Sequence, residues 1–164
     1  MSRINLGIEP WRLTNEHLLA EHREIKRICN VFEKIKNSNR KVKIPNNFCL
    51  GSGHVMYFVY KPDTTYFRYI QLYEECINRG FNIEDYRHNW DIYSRIFDKS
   101  KVIQHTSESI ELLKERISTR LMFSKKSKWH YTKNMKTYNI SYETSINLLD
   151  ALDIDDIKIQ LDVS

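Results

Sequence analysis

Glu16-His17-Leu18-Leu19-Ala20-Glu21-His22-Arg23-Glu24-Ile25-Lys26-Arg27 reads as the first turns of a long helix spanning about residues 14–36. At the α-helical repeat, Leu18, Ile25, Ile28, Cys29, Phe32 and Ile35 form one apolar stripe, the face such a helix turns to a core. His17, Ala20, Arg23, Glu24 and Arg27 share a neighbouring face, and Thr14 or Asn15 supplies the N-cap. A carboxylate flanked by two guanidiniums is electrostatically poised for chemistry. Solvated helices carry the same pairs at these spacings, worth about 0.3–0.5 kcal/mol each, so the charges alone leave both readings open.

Outward from that helix, the lead-in through Arg12 is non-helical because Gly7 and Pro10 oppose helix. Asn37-Ser38-Asn39-Arg40-Lys41 is a polar, basic loop, and residues 42–60, with Pro45 and Leu50-Gly51-Ser52-Gly53-His54-Val55, read as extended or coil. Pro62-Asp63-Thr64 opens a second helix, with Tyr66, Tyr69, Ile70, Tyr73 and Ile77 at helical spacing and Gly80 as its stop. Residues 81–104 read as short helices. A third helix starts near Thr106 or Ser107, carrying Ile110, Leu113, Ile117 and Leu121, with Glu108 and Glu111 at the positive end of its dipole. The expected fold is therefore all-α, a single compact domain of three principal helices with long irregular loops over residues 1–138. An acidic C-terminal extension, 139–164, either packs as one more helix around Ile146, Leu149 and Leu152 or stays mobile.

At 164 residues the chain can bury a core of its own, and 41% hydrophobic with 29% charged residues fits a globular protein. No apolar run approaches the length of a membrane span, and the N-terminus has no signal-peptide core, so a monomer without a membrane partner, inside the cell, is expected. Three cysteines at wide spacings suit buried thiols better than a disulfide frame or zinc site. The net charge of +5 favours an anionic partner. The acidic tail, with Asp150, Asp153, Asp155, Asp156 and Asp162 against Lys158, makes the body more basic than that total.

Ser124-Lys125-Lys126-Ser127-Lys128-Trp129-His130-Tyr131-Thr132-Lys133 interleaves ammonium groups with rings, a composition suited to phosphates and exposed bases. The competing reading is a basic surface loop with Trp129 and Tyr131 tucked into the core. The histidines make no ligand pattern: His17 and His22 are off the spacing of a helical metal pair, and His130 lies among cations. Gly51-Ser52-Gly53 is too short for a phosphate-binding fingerprint. The remaining nucleophile candidate is the N-terminus. Ser2 is small enough for Met1 to be removed, and a free α-amine, with a pKa of about 7.7–8.0, is partly uncharged at neutral pH and able to form an imine.

Four blocks together resemble the pyrimidine-dimer DNA glycosylase family. They are Ser2-Arg3-Ile4-Asn5-Leu6, Glu16 through Glu24, Leu50-Gly51-Ser52-Gly53-His54-Val55, and Glu75-Cys76-Ile77-Asn78-Arg79-Gly80-Phe81-Asn82-Ile83. The resemblance covers residues 1–85, thins to Trp129-His130-Tyr131, and ends near Tyr138. It implies a DNA glycosylase with AP lyase activity acting on double-stranded DNA that contains pyrimidine dimers or abasic sites. In it the Ser2 amine is the nucleophile and Glu24 the essential carboxylate. Arg3, His17, Arg23, Arg27, Arg116, Lys128, Trp129 and Tyr131 are the residues expected to hold DNA, with no metal or organic cofactor. Two departures stand out: the lead-in between Asn5 and His17 is one residue longer than the family's, and Arg116 takes the place of a family lysine. A non-catalytic damaged-DNA-binding module of the same fold is the alternative. The Asn, Ile, Lys and Tyr abundance points to an AT-rich genome, such as a viral one.

Overall fold

The computed structural model describes residues 4–124 and 128–156. Six helices and one hairpin follow in order: α1 (Asn15–Glu24), α2 (Arg27–Lys36), α3 (Gly53–Phe58), α4 (Pro62–Asn78), α5 (Ser107–Phe123), β1 (Trp129–Lys133), β2 (Lys136–Ile140) and α6 (Tyr142–Asp150). Short 3-10 turns fill the connections at Pro10–Arg12, Arg87–Tyr93, Lys99–Lys101 and Ile154–Asp156. The fold is predominantly helical, as expected, but not all-α.

The first helix is two helices. Thr14 caps α1, its hydroxyl accepting from the His17 N–H, and the chain turns at Ile25-Lys26 before α2 begins. The Ile28 and Cys29 amides reach back only three residues, to the Ile25 and Lys26 carbonyls at 3.2 and 3.0 Å, so the turn is tightened rather than continued. No glycine or proline lies between residues 14 and 36 to announce the break. The apolar stripe survives it: Leu18, Ile25, Ile28 and Cys29 are buried, with Phe32 and Ile35 packed at the edge.

Residues 53–58, expected extended or coil, form α3. Gly53 fits there because a Cβ would lie 2.7 Å from Cys49 Sγ and 3.2 Å from a Pro45 ring carbon. α4 ends as the glycine indicates. Gly80 sits at φ +79° and donates to Ile77 O at 2.8 Å, while Phe81 donates to Cys76 O at 3.0 Å, the paired bonds of a Schellman cap. Thr106 caps α5 through the Ser109 amide. Leu113, Ile117 and Leu121 of that helix are buried at one-turn spacing.

The aromatic-basic segment is a β-hairpin, with Trp129 opposite Ile140 and Lys133 opposite Lys136. Asn134 and Met135 form its two-residue loop with φ of +50° and +61°, the conformation a right-twisted hairpin favours. β2 crosses residue 138, where the family-like domain was expected to end. Ser141 caps α6, Leu148 and Leu149 are buried, and Arg12 Nη1 donates to the Leu149 carbonyl at 3.3 Å. Residues 139–150 thus complete the body of the fold, while residues 157–164 lie outside the described residues.

Candidate active site

The lead-in segment is pinned from below. Ile4, Leu6 and Ile8 are buried in the core, leaving two backbone amides in need of partners. The Ile4 N–H donates to His54 Nε2 at 2.9 Å, and His54 Nδ1 lies 3.1 Å from the Cys49 carbonyl, so a neutral imidazole protonated on Nδ1 satisfies both contacts. Burial pushes the His54 pKa down to about 4, and the nearby Arg116 charge adds to the shift. The Asn5 N–H and side-chain amide donate to the two oxygens of Glu21 at 2.9 and 2.8 Å. Arg68 grips the same carboxylate through Nε and Nη2 at 2.8 and 3.0 Å and donates through Nη1 to Ile8 O at 2.7 Å. Glu21 and Arg68 are both almost fully buried, so the pair relies on this complete set of hydrogen bonds.

Over that platform opens a pocket of about 610 Å³, lined by Asn5, His17, Ala20, Glu21, Glu24, Thr119, Arg120, Phe123, Ser124 and Trp129. His17, Ala20 and Glu24, at i, i+3 and i+7 of α1, supply one wall. The last turns of α5 supply another. Trp129 stacks on His17 with centroids 5.2 Å apart and an interplanar angle of 25°. Two carboxylates face the pocket, and their surroundings separate their roles. Glu21 has every lone pair engaged, whereas half-buried Glu24 has no hydrogen bond or ion pair among the described residues. Glu24 is the carboxylate left open to the pocket.

The hairpin that carries Trp129 is held by α1 itself. Asn15 Nδ2 donates to Thr132 Oγ1 at 2.8 Å, and Asn15 Oδ1 accepts from the Thr132 N–H at 3.1 Å and from Arg79 Nη1 at 2.9 Å. Glu16 accepts from the His130 amide and pairs with His130 Nδ1 at 2.6 Å. Burial raises the Glu16 carboxyl, but the His130 contacts outweigh it and the net shift is downward. His130, read from sequence as one more member of a basic run, is a structural clamp.

A family model described as pyrimidine dimer DNA glycosylase matches residues 1–89, more than half of the chain. The chain belongs to the pyrimidine dimer DNA glycosylase family. Membership supports a role in DNA repair, and the matched residues include Asn5, His17, Ala20, Glu21 and Glu24 of the pocket lining and His54 of α3 beneath the lead-in.

Against that frame the expected site residues divide. Glu24, His17 and Trp129 converge on one pocket. Ser2 and Arg3 lie outside the described residues. Arg23 and Arg27 do not flank Glu24. Arg23 lies 100° round α1 and opens onto a separate cleft with Glu16, Leu19, His22, Asn82, Ile83, Glu84 and Tyr86, and the turn at residues 25–26 sends exposed Arg27 off the α1 register. Arg116 is not in the pocket wall either; its Nη2 donates to Asn5 Oδ1 at 3.3 Å, supporting the platform from behind. Lys128 is exposed at the base of β1. Tyr131 corrects the expectation of a base-stacking ring. It is 3% exposed, its hydroxyl donates to Trp11 O at 2.7 Å, and the Arg79 guanidinium covers its face 4.3 Å from the centroid. Tyr131 belongs to the core because alternation in β1 turns it inward with Trp129.

Asn5, Glu21, Arg68, His54, Arg120 and Phe123 escaped sequence reading. Asn5, Glu21 and His54 lay inside the family blocks without a role, and nothing local marks a carboxylate whose partner is 47 residues away. Among the described residues no three His, Cys, Asp or Glu side chains gather as a metal site, and no helix is long and apolar enough to cross a membrane.

Proposed function

We propose that this protein excises cyclobutane pyrimidine dimers from UV-damaged duplex DNA and then cuts the strand at the resulting sugar. The α-amine of Ser2, exposed once Met1 is removed, attacks C1′ of the dimer's 5′ nucleotide. The C1′–N bond to the base breaks, the sugar ring opens, and a protein–DNA imine forms. Removal of a C2′ proton then expels the 3′ phosphate by β-elimination, and hydrolysis of the imine frees the enzyme. Glu24 acts as the base in these transfers and stabilises the cationic sugar and imine. No step calls for a metal or redox partner.

The observation that carries this reading is the uncommitted Glu24 carboxylate in a pocket whose floor is the anchored lead-in segment. Asn5 lines that pocket, three residues along the sequence from Ser2. Exposed Arg23, Arg27 and Lys128, together with Arg120 at the pocket, supply cations to the phosphates on either side. The same chemistry acts on a preformed abasic site, where the base is already absent.

The test is borohydride trapping with a duplex carrying one dimer, using protein whose intact mass shows a free Ser2. The expected result is a covalent adduct mapping to Ser2, with Glu24→Gln abolishing strand cutting. Binding of the damaged duplex without adduct or scission, unchanged by Glu24→Gln, would instead identify a damaged-DNA-binding module.

A further inference from the structure

We infer that Phe123 is the residue that enters the base stack beside the lesion, so that the end of α5 acts as a wedge during damage recognition; this rests on the activity proposed above. Phe123 is the last residue of α5 and is 75% exposed, yet it lines the Glu24 pocket. Its exposure follows from the helix repeat. Leu113, Ile117 and Leu121 face the core, and Phe123 stands 200° round from Leu121 on the same face as Thr119 and Arg120, which also line the pocket.

The three rings at this pocket are not equivalent. His17 and Trp129 are stacked on each other, each with one face taken up by the other, and Trp129 is 6% exposed. Phe123 makes no ring contact among the described residues. Met122 beside it is also exposed, which gives the tip an apolar surface of two adjacent side chains. Charge complementarity selects the occupant. Arg120 lies one turn back on the same wall, and exposed Lys128 stands at the base of β1. An apolar tip framed by cations matches a base stack framed by phosphates. Proteins that bend DNA insert such wedges between base steps, and a fused dimer weakens stacking and pairing where the wedge must enter. Phe123 is thus a positioning residue that opens the stack at the lesion, and it has no part in bond breaking.

The experiment uses full-length protein and a duplex with one dimer and 2-aminopurine in the flanking position, alongside an equivalent duplex with a preformed abasic site. Binding of the wild type raises the 2-aminopurine signal as the neighbouring base unstacks. Phe123→Ala removes that rise and lowers kcat/KM for dimer excision by about tenfold to a hundredfold, the scale of losing one stacked contact. Cleavage of the abasic duplex falls less than dimer excision does, because the wedge acts before the chemistry, and the melting temperature stays near wild type, because the ring is exposed. Phe123→Trp restores excision. An unchanged 2-aminopurine signal and excision rate in Phe123→Ala, or equal losses on both duplexes, overturn the wedge. Should the wild type itself give neither excision nor adduct, the proposed activity fails instead, and the two failures are distinct.

Discussion

Acid should loosen the lead-in segment through one imidazole. His54 accepts from the Ile4 N–H with Nε2 and contacts the Cys49 carbonyl with Nδ1, so both nitrogens are committed in the neutral form. A second proton on Nε2 would face the Ile4 N–H, setting donor against donor near the half-buried Arg116 charge. Burial first, then the Arg116 charge, holds the group at about 4, against 6.5 in the unfolded chain. Between those values the unfolded state binds the proton and the folded state does not, so acidification favours unfolding. The contribution is therefore complete above about pH 6.5, falls as pH is lowered, and is exhausted near pH 4. At 1.36 kcal/mol per unit, the separation amounts to about 3 kcal/mol of stability lost across that window. Urea unfolding from pH 4 to 7.5 measures it, with His54→Gln as the comparison. His105 is pushed down to about 4 by burial and titrates in both proteins, so the difference between the curves isolates His54. The wild type should lose about 3 kcal/mol more than the variant between pH 6.5 and 4. Parallel curves, or an imidazole resonance for His54 that titrates near 6.5, would refute the reasoning.

Two further outcomes concern the frame. Arg68→Met strands the Glu21 carboxylate in the core and should cost about 3–5 kcal/mol in urea unfolding, far beyond an exposed pair; a loss under about 1 kcal/mol would mean water or another cation replaces Arg68. Met135→Gly, which relieves a left-handed non-glycine position in the hairpin loop, should raise stability by about 1 kcal/mol, read as a higher melting temperature; no gain would show that Met135 packing over Gly80 compensates.

Much of the helical skeleton was legible because its signals are local. The spacing of Leu18, Ile25 and Ile28, the glycine at position 80 and the hydroxyl at Thr106 each act within a few residues, and each performs as its chemistry indicates. The hairpin was legible too, in hindsight. Aromatic and β-branched residues flank a two-residue Asn-Met loop, but the lysines around them drew attention to charge instead of period. The break after Glu24 had no sequence signal. Ile25 and Ile28 share one face of an unbroken helix as well, so the apolar pattern is the same with the break or without it.

By itself, the sequence determined the family, the core face of α1 and α2, and Glu24 as a candidate carboxylate, since these depend on residue identity and short spacing. Which carboxylate is free was a tertiary decision. Glu21 and Glu24 are equivalent acids one turn apart until Arg68 and Asn5, brought in from 47 residues downstream and 16 upstream, saturate the first and leave the second open. The arginines divided the same way: helix rotation carries Arg23 to another cleft, and the fold of α5 brings Arg120 to the pocket in place of Arg116. Buried hydrogen-bond demand is long-range, and it decided which groups remained available for chemistry.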